Sequence, residues 1–157
     1  MEGANSQSLL IIEDSDEDFE AFTRIVKKIS FVHPIHRCID GDEALDFLHR
    51  AGEYSRFKVS QPSLILLDLN LPGTDGREFI KEVKQNDKFK SIPLIVFTTS
   101  SNPKDIEVCY RYGVNSYMIK PIDIDKLKRT IEVFLNYWFE VIVFPDVVNI
   151  IPEGGER

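Results

Sequence analysis

The chain alternates short, wholly apolar runs with longer segments that are apolar on one face only. Leu9-Leu10-Ile11-Ile12 and Leu64-Ile65-Leu66-Leu67 contain no polar position, which is the pattern of strands covered on both sides. Leu94 to Phe97, opened by Pro93, reads the same way, and Ile35 to Ile39 and Ser116 to Ile119 are further short strands. Helical patterns lie between them. Ser15, three residues before Asp18, resembles a capping box that opens a stripe of Phe19, Phe22, Val26 and Ile29. Asp40-Gly41 turns into a helix burying Ala44, Leu45, Phe47 and Leu48, and Phe79, Ile80 and Val83 mark a third helix after Pro72-Gly73. Pro103 fits the first turn of a fourth that stops at Gly113. The fifth, capped by Asp123, carries Leu127, Ile131, Phe134, Leu135 and Trp138 at helical spacing. Five βα units predict an α/β fold, a doubly wound three-layer sandwich around a parallel five-stranded sheet.

The same pattern divides the chain into a polar segment 1–8, a βα domain 9–138 and an extension 139–157. At 157 residues this is one domain with a tail. Hydrophobic residues at 43% and charged residues at 29% exclude a disordered chain. Uninterrupted apolar runs reach only four residues, too short to span a bilayer. The polar N-terminus has no apolar signal core, so the expected location is the cytoplasm. A net charge of −7 argues against a nucleic-acid partner. Cys38 and Cys109 read as reduced core residues.

In a doubly wound sheet, chemistry collects beyond the C-terminal ends of the strands. There the first strand ends in Glu13-Asp14, the third in Asp68, the fourth in Thr98 and the fifth in Lys120. Three crowded carboxylates repel one another unless a cation sits among them. A hard divalent ion, Mg²⁺ above all, suits such oxygen donors together with a phosphate. A lysine and a short hydroxyl complete a set suited to a phosphoryl anion beside a carboxylate nucleophile. Any one of these residues alone is a cap, a turn residue or a solvated charge; five at consistent strand ends are not.

The order Glu13-Asp14, Asp68, Thr98 and Lys120-Pro121 resembles the receiver domain of two-component response regulators, a flavodoxin-like (βα)5 fold. The likeness runs from about Leu9 to Trp138, and Asp68-Leu69-Asn70-Leu71-Pro72-Gly73 followed by Asp75-Gly76 resembles that family's phosphoacceptor loop. The resemblance implies that Asp68 accepts a phosphoryl group from a histidine kinase. It implies Mg²⁺ held by Glu13, Asp14, Asp68 and the Asn70 backbone carbonyl. Thr98 and Lys120 would contact the phosphoryl group, Thr98 and Tyr117 would form the conformational switch, and Lys120-Pro121 would be a cis peptide. Two departures stand out: Glu13 where Asp is commoner, and Thr99 where Ala or Gly is usual. A narrower resemblance, to the small regulators that partner phytochrome kinases, rests on Leu66 to Glu78, Thr98-Thr99-Ser100, the loop near Glu53-Tyr54 and the aromatic end Phe134 to Trp138. With 19 residues after Trp138, a stand-alone receiver is expected, one that catalyses nothing beyond its own phosphorylation and dephosphorylation.

The rival from another class is a phosphatase of the haloacid dehalogenase type. Such enzymes place a general acid two residues after the nucleophile, where this chain has Asn70, and they need chain for a cap domain. Nucleotide-binding glycine loops are absent from the sequence. Within Phe139 to Ile151, nine of thirteen residues are Phe, Val or Ile, too apolar for a free tail. It either folds back over the last helix or, with that helix, forms a homodimer contact.

Overall fold

The computed structural model describes residues 7–58 and 60–145. Five parallel strands, β1 (Leu9–Ile12), β2 (Ile35–Cys38), β3 (Leu64–Leu67), β4 (Leu94–Thr98) and β5 (Ser116–Ile119), form one sheet in the order β2-β1-β3-β4-β5. Between and after them run α1 (Asp16–Lys28), α2 (Gly41–His49), α3 (Gly76–Gln85), α4 (Pro103–Arg111) and α5 (Ile124–Asn136). The loop expected from Gly52 to Ser63 contains one 3₁₀ turn, Gly52–Tyr54. Because side chains alternate across a strand, the all-apolar strands feed two cores. Leu10, Ile12, Ile65 and Leu67 pack with Phe47, Phe79 and Ile80 on one face. Leu9, Ile11, Leu64 and Leu66 pack with Phe22, Ile131 and Phe134 on the other. Cys38 and Cys109 are free and buried, and burial pushes their thiols up to about 12 and about 11, so they stay protonated.

The helix starts follow the sequence. The Ser15 hydroxyl accepts from the Asp18 amide, Asp40 from Glu43, Asn102 from Lys104 and Asp123 from Lys126. Gly113 takes a φ of 106° after α4, which a side chain would resist. The beginning of the extension folds back on its own subunit. After α5 a π-helical turn, Tyr137–Val141, swings Phe139 against Phe31, edge to face at 5.0 Å, and stacks it on His33 at 4.9 Å. Phe144 then stacks on Trp138 at 6.2 Å. The rest of the apolar segment, from Asp146 to Ile151, lies outside the described residues. Among the described residues no helix is long and apolar enough to cross a membrane.

Candidate functional site

Parallel pairing in register delivers the expected residues to one edge. Ile12 pairs with Leu67, and Thr98 with Ile119, so Glu13, Asp68, Thr98 and Lys120 leave adjacent strands side by side. The Asp68 amide donates to the Ile12 carbonyl at 3.1 Å, and the Lys120 amide to the Thr98 carbonyl at 2.7 Å. Carboxylate oxygens of Glu13, Asp14 and Asp68 lie within 4.8 Å of one another. Glu13 and Asp68 are buried, whereas Asp14 faces solvent. The acceptor loop is shaped by close approach: a Cβ on Gly76 would come 2.8 Å from the Leu69 Cα, so only glycine lets α3 begin so near Asp68. The Asn70 amide donates to Asp68 Oδ1 at 3.2 Å.

Lys120 is the cation of this cluster. Its Nζ donates to Glu13 Oε1 at 2.6 Å, Asp18 Oδ2 at 2.9 Å and Asp68 Oδ2 at 3.3 Å, with only 11% of its side chain exposed. Burial alone would push the ammonium down, but the bonds to Glu13 and Asp18 and the charge of Asp68 outweigh it and hold Lys120 above the ordinary lysine range. Burial pushes the Glu13 carboxyl up, against the hydrogen bond and charge of Lys120. Asp18 was expected only as a helix-start residue; nothing local in the sequence says that its carboxylate crosses to β5. A cavity of about 200 Å³ opens beside these groups, with Glu13, Asp68, Thr99 and Lys120 on its polar wall and Phe22 and Ile131 among its apolar lining.

Thr98 is wholly buried and its hydroxyl has no hydrogen-bond partner. An orphaned buried hydroxyl costs free energy of ~1–3 kcal/mol, which an anionic oxygen arriving at Asp68 would offset. The converging carboxylates of Glu13, Asp14 and Asp68 fit a hard divalent ion, which would relieve their mutual repulsion. Tyr117 sits half-buried against the core of the α2–α3–α4 face, its hydroxyl donating to the Ser100 carbonyl at 2.9 Å. One expectation is corrected: the Lys120–Pro121 peptide is trans, since no cis bond occurs among the described residues. Trans is favoured for X–Pro by ~0.5–1 kcal/mol, and the ammonium reaches all three carboxylates with it.

A five-stranded parallel sheet with this strand order, carrying two acids, an acceptor-type aspartate, a threonine and a lysine at successive strand ends, defines a receiver domain. The family profile described as the response regulator receiver domain matches residues 9–132, and the chain belongs to that family, a class of signalling protein. It is 37% identical over 137 residues to the response regulator Rcp1 of Synechocystis sp., covering 87% of this chain and 92% of that protein. The crystal structure of the Mn²⁺-bound form of Rcp1 superposes with a TM-score of 0.82, covering 88% of this chain and 99% of that one. The phosphorylated cyanobacterial phytochrome response regulator RcpA, 33% identical, gives 0.83 over 89% and 99%. A probable methanogenesis regulatory protein, FilR2 of Methanothrix harundinacea, is 36% identical over 132 residues, covering 83% of this chain and 82% of that protein. The haloacid dehalogenase-type alternative gains no support from these matches.

Proposed function

We propose that this response regulator accepts a phosphoryl group on Asp68 from a histidine kinase in a Mg²⁺-dependent reaction. The observation that carries the reading is the buried, unpartnered Thr98 hydroxyl at the end of β4, the strand between those that deliver Asp68 and Lys120. An Asp68 oxygen attacks the phosphorus of the kinase's phosphohistidine; the new P–O bond forms as the P–N bond breaks, and the imidazole leaves with the bond's electron pair. Lys120 gives the incoming oxygens an ammonium already poised at Asp68, and Thr98 supplies a hydroxyl donor. Mg²⁺, when bound by Glu13, Asp14, Asp68 and the Asn70 carbonyl, supplies the remaining positive charge. The same groups serve the reverse attack by water, and Thr99, exposed beside the pocket, limits that access. No other reaction is assigned to the chain.

The kinase in this reading is a phytochrome, supported by the likeness to RcpA, and the pair works in the cytoplasm. The unit 9–138 is the receiver, and α5 with the extension 139–157 forms a homodimer contact. Support for the dimer comes from Val133 and Tyr137, each 49% exposed and four residues apart, and from open Val141 and Val143. They form a second apolar face behind buried Phe134 and Leu135. The test is transfer from purified, radiolabelled histidine kinases, phytochrome and non-phytochrome, with Mg²⁺ or chelator. Fast transfer from the phytochrome with Mg²⁺ is expected; equal rates from every kinase contradict the partner, and transfer in chelator contradicts the metal. Val133→Lys should turn a sedimenting dimer into a monomer while leaving transfer intact, and an unchanged sedimentation coefficient removes the contact.

A further inference from the structure

We propose that Arg77 is a positioning residue that latches Tyr117 inward before any phosphoryl group arrives. What the latch controls depends on the receiver reading above; its existence depends on a continuous run of side-chain bonds. Arg77 stands one residue after Gly76, whose contact with Leu69 leaves the start of α3 no slack against the acceptor loop. Its guanidinium donates to Asp75 Oδ1 at 2.8 Å, and its Nε and Nη2 grip Asp105 Oδ1 on α4 at 3.2 and 2.8 Å. The other oxygen of Asp105 accepts the Ser100 hydroxyl at 2.6 Å. The Ser100 carbonyl, held in place by that bond, accepts the Tyr117 hydroxyl.

Each link has a physical reason to hold the next. Asp105 and Arg77 are both largely covered, with 21% and 28% of their side chains exposed, so neither charge is free to turn to water. Charge-assisted hydrogen bonds are the stronger ones, and here Nε and Nη2 converge on one carboxylate oxygen and leave the other to Ser100. With both oxygens engaged, Asp105 fixes the rotamer of Ser100, two residues beyond Thr98. Ser100 is then fixed where its carbonyl can satisfy a phenol that would otherwise be half-buried and unpaired. A phosphoryl group drawing Thr98 toward Asp68 must move a strand end whose neighbour is clamped to α3 and α4. Arg77 therefore sets how far the switch is already thrown at rest, and a ligand shifts only the remaining difference.

The test is ¹⁹F NMR of the full chain labelled with 3-fluorotyrosine, with the Tyr117 signal assigned by its loss in Tyr117→Phe. In the unphosphorylated parent that signal should show a small H₂O/D₂O shift, as a covered ring does. Arg77→Ala should raise the exposed share of Tyr117 roughly tenfold, the effect of losing a charged hydrogen-bond pair, and enlarge that shift. Arg77→Lys, which keeps the charge without the fork, should fall between them. Ser100→Ala, which keeps the carbonyl and loses only the hydroxyl, should release the ring as well. A folded Arg77→Ala chain with the parent's Tyr117 signal overturns the latch; if that variant does not fold, an unchanged signal in Ser100→Ala does so. Adding Mg²⁺ and beryllofluoride separates the two readings. In ¹⁵N-labelled parent, a Thr98 amide signal that ignores the mimic contradicts the receiver chemistry, while the latch still stands or falls on the unliganded ¹⁹F spectra.

Discussion

The strand-end site and the aromatic end of α5 are opposite solutions to burial. At the site, Glu13 and Asp68 are buried beside one ammonium, and Thr98 is buried with its hydroxyl unpaired. At the α5 end, Phe31, His33, Phe139 and Phe144 meet ring to ring, with partners 4.9 to 5.4 Å away. The first region is held short of its best state and gains from an incoming cation and anion. The second pairs its rings with one another within the chain and leaves Val133, Tyr137, Val141 and Val143 open at its edge. Function resides where burial is left unfinished.

That contrast can be broken from either side. The largest effect is expected from Lys120→Ala, which strands two buried carboxylates and should cost ~3–5 kcal/mol of stability without metal. Millimolar Mg²⁺ should recover part of that loss, because the ion occupies the vacated electrostatic role; denaturant melts with and without the ion read both numbers. Removing the half-exposed partner instead, in Asp18→Asn, should cost under ~1 kcal/mol. Phe139→Ala, on the apolar side, should cost ~1.5–3 kcal/mol, independently of Mg²⁺, and should leave phosphoryl acceptance unchanged. A Mg²⁺-sensitive loss in Phe139→Ala would erase the distinction between the two regions.

The smallest expected effect is a pH slope from His36. Burial among Phe47, Tyr54 and Phe57 pushes its imidazole below the ordinary value of 6.5, helped by Arg50 and opposed by Glu43. A depressed group contributes stability that is present above the unfolded pKa and is lost as pH falls from 6.5 through its folded value. Urea melts of His36→Gln should therefore fall less between pH 7.5 and 5.5 than those of the parent. An equal decline would mean that the imidazole is protonated in the fold at no cost.

The fold was legible because its signals are local. Apolar tetrads, capping residues and the Pro and Gly breakers located the five strands and the five α-helices, though not the 3₁₀ turn or the π-helical turn. The site was legible because parallel topology turns strand ends into neighbours, so Glu13, Asp14, Asp68, Thr98 and Lys120 could be assembled without knowing side-chain positions. What escaped depends on side-chain reach. Asp18 crosses from α1 to Lys120, 102 residues away in sequence, and Arg77 grips Asp105 across two helices; neither has a spacing rule. The trans Lys120–Pro121 peptide departs from what the resemblance implies, because nothing in the motif itself fixes the isomer of an X–Pro bond. The apolar extension was recognisable as something that must be covered, but hydrophobicity alone does not say which surface covers it. The π-helical turn that sends Phe139 onto Phe31 is what decides the matter for its first residues.

The central claim is that Asp68 is the phosphoacceptor of a metal-dependent site. Intact-mass measurement after incubation with acetyl phosphate tests it most directly. The parent should gain one phosphoryl group with Mg²⁺ and none with chelator, and Asp68→Asn should gain none under either condition. Labelling of Asp68→Asn equal to the parent's, or labelling of the parent that ignores the chelator, would contradict the account.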